Sequence, residues 1–396
     1  MKGRASLPLG PSQISKWATI NRMMRENKID ILCVQETHLT LEHITQIEAL
    51  FARRLLVLNS SDPDRPGCSA GVAFILNKET INVTSAKMNV LIPGRAITLN
   101  LKWHNDINLN LINVYAPNNT TEHPDFWNSI CTKWTTTNQT SPDFMLGDFN
   151  LTEDAIDRAP ARTDNETAIN ALRDLRSTLN LQDLWRHTYP QERLFTFTSN
   201  TNMLSRLDRI YASALHAHHL SDWDSLPCLV PTDHKLVRVR FAPSDLPHIG
   251  PGRWSWPTGL LTDPTLIQTL INMGMQTQRE IENLTARTET SNPQTLWASL
   301  KTSMSNETKK VTKSHLARIN TRINQLQKDL KKTSNRGNID ASDDQRLHCV
   351  MLEKELDHLI KKRYKNSHLK AQAQWATKGE TIRIPPEPPT NVRCRH

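Results

Sequence analysis

Five strand ends in this chain carry polar residues of the kinds that handle water, metal ions and phosphate. The first, Ile29 to Val34, runs into Gln35-Glu36-Thr37-His38, and a Glu facing other polar groups is a hard oxygen ligand suited to Mg²⁺. The second ends in Asn113-Val114-Tyr115-Ala116-Pro117-Asn118, where Tyr115 either donates its hydroxyl to a phosphate or packs. The third, Phe144-Met145-Leu146, stops at Gly147-Asp148-Phe149-Asn150, with Gly147 allowing a sharp turn. An Asp at the carboxyl edge of a sheet can orient or deprotonate a water, and an Asn amide can donate to a phosphate oxygen without adding charge. Alone, that tetrapeptide is equally a turn between a strand and a helix. The fourth group, Ser205-Arg206-Leu207-Asp208-Arg209-Ile210, puts Asp208 at the head of a strand. The fifth, Thr232-Asp233-His234, leads into the run Leu236 to Phe241. An unperturbed histidine titrates near neutral pH, so a neighbouring carboxylate would decide the protonation of His234.

These groups need strands to bring them together. Besides the runs above, Ala70 to Leu76, Ile97 to Trp103, Leu109 to Val114, Phe195 to Thr198 and Leu207 to Tyr211 read as strands. Helical periodicity occupies Trp17 to Asn27, with Trp17, Ile20 and Met24 on one face, and the stretches Glu122–Trp134 and Thr167–Leu179. Strands joined by short polar turns, with few helices between, predict an α/β (α+β) fold: a two-sheet β-sandwich flanked by helices over residues 1–242.

Around residues 243–262 the character changes to a linker rich in proline, with Trp254 and Trp256 inside it. Residues 263–380 are polar and helical. Ile319, Ile323, Leu326 and Leu330 recur at two-helix spacing, Gly337 interrupts, and Leu352, Leu356 and Leu359 resume, which predicts an antiparallel hairpin. Its other face carries Lys309, Lys310, Lys313, Arg318, Arg322, Lys328, Lys331, Lys332, Lys361, Lys362, Arg363 and Lys365, either a solvated face or a nucleic-acid contact. The stretch 381–396, with four prolines in five residues, reads as a disordered tail.

Lys and Arg outnumber Asp and Glu by 49 to 40 in 396 residues, a formal charge of +9, which favours a polyanionic partner without requiring one. Six cysteines without any Cys-x-x-Cys pair suit reduced thiols better than a disulfide framework or a zinc site. No apolar run approaches the roughly 20 residues of a membrane helix, and no signal-peptide core opens the chain. An intracellular protein with no membrane partner is expected.

In order and spacing, the five groups resemble the endonuclease/exonuclease/phosphatase superfamily, and within it the apurinic-like endonuclease domain of LINE-type retrotransposons, from about Trp17 to Phe241. Gln35-Glu36-Thr37-His38 and the run Asn113 to Asn118 are more like the retrotransposon branch; Gly147-Asp148-Phe149-Asn150 and Asp233-His234 are shared more widely. The resemblance implies a DNase I-like fold and Mg²⁺- or Mn²⁺-dependent nicking of DNA, in the nucleus, with RNA of the element as a further partner. It implies Glu36 as principal metal ligand and Asp233 as support for the metal or its waters. His234 would contact the scissile phosphate or move a proton, oriented by Asp208. Asp148 would activate the attacking water, held by Asn150. Tyr115 and Thr196 would bind phosphate oxygens, and Asn118 would lie with them at the substrate. A softer likeness joins Gly252 to Pro257 and Gln374 to Glu380 to the connector that leads, in such elements, toward a reverse transcriptase.

The family fold opens with a strand carrying a further Asn at the metal. This chain begins Met1-Lys2-Gly3-Arg4, which resembles the turn after that strand, so the strand is expected upstream of residue 1. That expectation keeps two alternatives beside the DNA-nicking reading: an inactive element remnant that binds nucleic acid through its basic helices, and a DNA-repair apurinic endonuclease or phosphatase of the same superfamily.

Overall fold

Side chains alternate between two cores on either side of each sheet, and this sets the layering. The computed structural model describes residues 11–103, 108–136, 140–243 and 263–378. The chain runs through α1 (Pro11–Glu26), β1 (Ile31–Gln35), α2 (Leu41–Phe51), β2 (Leu55–Ser60), β3 (Val72–Asn77), β4 (Lys87–Ile92), β5 (Ala96–Lys102), β6 (Asn108–Tyr115), α3 (His123–Thr136) and β7 (Phe144–Asp148). It continues with β8 (Arg158–Ala159), α4 (Glu166–Thr178), β9 (Leu181–Gln182), α5 (Leu184–Thr188), β10 (Phe197–Thr198), β11 (Leu204–Ser205), β12 (Asp208–Ser213), β13 (Leu220–Pro227) and β14 (Lys235–Phe241). Three helices follow: α6 (Pro264–Glu282), α7 (Pro293–Ser334) and α8 (Asp343–Lys378).

A six-stranded sheet in the order β4-β5-β6-β7-β12-β9 faces a three-stranded sheet, β1-β3-β2, and the hairpin β13-β14. Between them Phe74, Leu76, Ile97, Leu99, Leu111, Phe144 and Ile210 form the inner core, against which Val237, Val239 and Phe241 pack. The next residue along each strand faces outward. Ile112, Val114, Met145 and Tyr211 meet Trp127, Ile130, Leu172 and Leu175 of α3 and α4. Ala73 and Ile75 meet Trp17, Ile20 and Met24 of α1 and Ile47 of α2. β3 is therefore buried on both faces, which explains its uninterrupted apolar sequence. The architecture is the expected DNase I-like sandwich flanked by helices, except that β13-β14 stands as its own two-stranded sheet and β8, β10 and β11 form a small fourth one. Strands β2, β4 and β13 and helix α2 were not legible in the sequence. β4 has one buried residue, Leu91, and β13 is irregular where its pairing shifts between Ser221 and Asp224.

The chain divides into two compact units: Met1–Gly250 with Thr321–Ile360, and Pro251–Asn320 with Lys361–His396. In the first unit the tip of the α7–α8 hairpin shares the core of the preceding strands. Ile339, Cys349, Val350 and Leu330 pack with Ala159, Phe195 and Leu204. Within the hairpin, Ile323, Leu326, Leu356 and Ile360 are buried; Ile360 takes the place expected of Leu359, which is half-buried. In the second unit, Leu266 and Leu270 of α6 pack with Met304 and Val311 of α7. Apart from Pro243, the expected linker at 243–262 lies outside the described residues, as does the tail at 381–396.

Candidate active site

Three neighbouring strands of the large sheet deliver three polar groups in register. β6 runs parallel to β7 with Tyr115 beside Asp148, and β12 runs antiparallel to β7 with Asp208 opposite Asp148. Gly147 makes this possible. It has φ +146°, and a Cβ there would stand 1.9 Å from the Val114 carbonyl oxygen. The strand thus continues through Gly147 to Asp148; the glycine serves close approach of two strands rather than the sharp turn expected of it. Phe149 then anchors the turn: fully buried, it stacks on Trp127 at 5.8 Å and meets Tyr211 edge-on at 4.8 Å. Asn150, at φ +45°, sits in the left-handed region that Asn tolerates. Its N–H donates to Asp148 Oδ1 at 2.9 Å, and its Nδ2 donates to Ala116 O at 2.9 Å and Asn118 Oδ1 at 3.1 Å.

Glu36 follows β1 and enters from the opposite sheet with φ +51°, a conformation costly for a side chain with a Cβ. The Tyr115 hydroxyl donates to Glu36 Oε1 at 2.6 Å and lies 3.3 Å from Asn118 Oδ1. Burial, reinforced by the Glu36 hydrogen bond and charge, pushes the Tyr115 phenol far above its ordinary pKa, so it remains a donor. The Arg95 guanidinium lies over the Tyr115 ring, 4.6 Å from its centroid.

His234 comes from the segment before β14. Its Nδ1 pairs with Asp208 Oδ2 at 2.9 Å, and its Nε2 stands 3.9 Å from Asp148 Oδ2. The backbone of His234 also bridges to Phe197 of β10, whose ring lies 4.9 Å from the imidazole. Burial opposes a charge on His234, but Asp208 outweighs it by charge and hydrogen bond; with Asp148 and Asp233 adding to this, its pKa rises to about 9. Asp148 moves upward as well, to about 7. Burial is the main cause and the Asp208 charge the next, with His234 opposing.

Glu36, Asp148, Asp208, Asp233 and His234 line one open cleft of about 120 Å³. Among the described residues, ligand atoms of Asp148, Asp208 and His234 lie within 4.8 Å of one another and could hold a metal ion. Glu36 and the exposed Asp233 stand at the same cleft but outside that tight cluster. Four carboxylates against a single imidazole, one of them forced toward protonation, is a donor set that a hard divalent cation fits.

Thr196, Tyr115 and Asn150, expected at the substrate or its water, are engaged within the protein itself. Thr196 is fully buried, and its Oγ1 accepts the backbone N–H groups of Leu207 and Asp208, both at 3.0 Å. It fixes the Asp208 backbone and offers no exposed face to a phosphate. Tyr115 and Asn150 spend their donors on Glu36, Ala116 and Asn118, so in this geometry they brace the site.

Sequence reasoning missed the supports. Asn113, fully buried, accepts from Gln35 Nε2 at 2.7 Å and donates to Ala73 O at 2.9 Å and Val34 O at 3.3 Å, tying the two sheets together beside Glu36. One polar residue inside the run Leu111 to Tyr115 was the available signal. Arg206 and Arg209, flanking Asp208, are buried in a charge network: Arg206 reaches Asp183 Oδ2 at 2.8 Å and Asp157 Oδ2 at 3.2 Å, and Arg186 also pairs with Asp157. Nothing in the spacing of these acids announces it.

The chain is 29% identical over 250 residues to the transposon TX1 uncharacterized 149 kDa protein of Xenopus laevis, an alignment covering 61% of this chain and 18% of that protein. Its structure is similar to that of an AP endonuclease from Leishmania major (20% identity, 59% of this chain and 83% of that one, TM-score 0.49). It is also similar to the endonuclease domain of TRAS1, a telomere-specific non-LTR retrotransposon (14% identity, 58% and 94%, TM-score 0.42). The family model for the endonuclease/exonuclease/phosphatase family matches residues 17–245, a span that runs from Trp17 in α1 to just past β14 and takes in every group at the cleft. The chain belongs to the endonuclease/exonuclease/phosphatase family.

Proposed function

We propose that this chain is a divalent-metal-dependent phosphodiesterase that nicks DNA, as the endonuclease of a non-LTR retrotransposon. The observation that carries the reading is the pairing of a buried carboxylate, Asp148, with an imidazole, His234, whose Nε2 lies 3.9 Å away, at the rim of a carboxylate-lined cleft. Phosphodiester hydrolysis needs a base for the attacking water and positive charge at the developing phosphorane oxygens. Asp148, with its pKa raised to about 7, is matched to take a proton from water near neutral pH. His234, raised to about 9, carries a proton on Nε2 that it donates to a phosphate oxygen, while Asp208 Oδ2 holds the ring through Nδ1. The Asn150 backbone N–H fixes Asp148, and the Tyr115 hydroxyl fixes Glu36. Glu36, with Asp233 at the same cleft, would hold Mg²⁺ or Mn²⁺, and the ion when bound supplies positive charge to the phosphoryl oxygen. Likeness to the TX1 transposon protein supports the retroelement assignment.

The test is conversion of supercoiled plasmid to the open circle. Nicking with Mg²⁺ or Mn²⁺, abolished by EDTA and by His234→Ala, supports the enzyme. Absence of nicking by the purified chain at every metal concentration, with binding to plasmid retained, replaces this reading by the nucleic-acid-binding remnant. Cleavage confined to an oligonucleotide with an abasic site would make it a repair-type activity.

A further inference from the structure

Residue Glu353 of α8 lies far in sequence from the catalytic groups, yet it touches both elements that hold His234. One carboxylate oxygen pairs with Lys235 Nζ, the residue directly after His234; the other accepts from Thr198 Oγ1 at 3.2 Å. Thr198 sits beside Phe197, the residue whose backbone bridges to His234. Both side chains of the ion pair are largely enclosed, at 14% and 12% exposure for Lys235 and Glu353. The tip is bound at further points. Asp340 Oδ1 accepts from the Ala161 N–H at 2.8 Å, and Arg193 grips Asp340 with both Nη atoms, at 2.9 and 2.6 Å. Lys331 pairs with Glu192 at 2.9 Å. Beneath these contacts lies the apolar cluster of Ile339, Cys349 and Val350 against Phe195 and Leu204.

We propose that the tip of the α7–α8 hairpin is a clamp for the catalytic imidazole, with Glu353 its positioning residue. It joins strand β10 to the start of β14 across the small sheet, and so fixes the segment from which His234 reaches Asp208. A surface pair would contribute little to this, but an enclosed charge pair with a second hydrogen bond restricts both partners. The hairpin is then more than a connector: it completes the nuclease unit from outside the family-matched span of 17–245. The proposal rests on the nuclease reading for its kinetic arm only.

The 396-residue chain is compared as wild type, Glu353→Ala, Glu353→Gln and the double variant Glu353→Ala/Lys235→Ala, by plasmid nicking and by hydrogen exchange of residues 195–199 and 232–236. A clamp predicts that Glu353→Ala lowers kcat roughly tenfold with KM for plasmid held, since small displacements of a catalytic group are costly. It also predicts faster exchange in those two segments alone. Glu353→Gln, which keeps one acceptor, falls between, and the double variant matches Glu353→Ala because the pair acts as a unit. Wild-type kcat in Glu353→Ala, a rise in KM instead of a fall in kcat, or unchanged exchange in the two segments overturns the clamp. If wild type itself does not nick, the nuclease reading fails, and the clamp stands or falls on exchange. Should Glu353→Ala not fold, Glu353→Gln against wild type decides by the same two readouts.

Discussion

Replacing Asp148 with Asn should stabilise this protein while removing its activity, and the gain should grow with pH. Asp148 is pushed from an ordinary 3.8 to about 7, first by burial and then by the Asp208 charge. A carboxyl raised on folding favours the protonated native state, so its cost is absent below pH 3.8, increases as pH rises, and is complete above about 7. Each pH unit is worth about 1.4 kcal/mol, so the full span sets an upper bound of about 4 kcal/mol; relaxation around a coupled site reduces this to about 2. Asn keeps the shape and an acceptor for the Asn150 N–H while shedding the charge. The assay is thermal unfolding of both proteins in EDTA at pH 5, 6.5 and 8. For a domain of this size about 2 kcal/mol corresponds to roughly 4–8 °C in Tm. The difference should widen from pH 5 to 8, as the charge that Asp148 gains is one that Asn never carries. An Asp148→Asn protein that is less stable than wild type, or a difference independent of pH, refutes the electrostatic account of the site.

Other perturbations test the supports. Burial raises the pKa of Asp183, but the Arg206 guanidinium beside it prevails and holds it down at about 2; its stabilisation is present above pH 3.8 and is lost as pH falls through 2. Asp183→Asn should therefore cost about 2 kcal/mol at pH 7 in urea unfolding, and the difference should shrink below pH 3.8. Gly147→Ala puts a methyl 1.9 Å from the Val114 oxygen and should either leave the protein insoluble or lower its stability by about 3 kcal/mol or more, measured by the same unfolding. Asn113→Ala removes the hydrogen bonds to the Gln35 amide and to the Val34 and Ala73 carbonyls; a loss of about 1–3 kcal/mol and weaker divalent-ion binding, read by calorimetry, are expected because Glu36 directly follows β1.

How much of this could be read in the chain depends on how local each interaction is. Helix α1 was legible from Trp17, Ile20 and Met24 because a single apolar face repeats within a few residues. β3, β6 and β7 were legible because strands buried on both faces become apolar runs. By contrast β4, with only Leu91 buried, carries no such pattern. The five polar groups at strand ends were identified as a set from type and order, since each belongs to a short contiguous motif.

Tertiary structure decided what each group has left to give once its neighbours are satisfied. Thr196 and Asp208 stand twelve residues apart, yet the Thr196 hydroxyl is consumed by the Asp208 backbone. Tyr115 finds Glu36 across the inner core, 79 positions away. Lys235, an ordinary cation beside His234 in the sequence, is claimed by Glu353 on a helix outside the sandwich, 118 positions away. The motifs determine which chemistry is present because residue types carry it. The charge state of Asp148 and His234, and the clamp that aims the imidazole, exist only where distant segments exclude water from the same few ångströms.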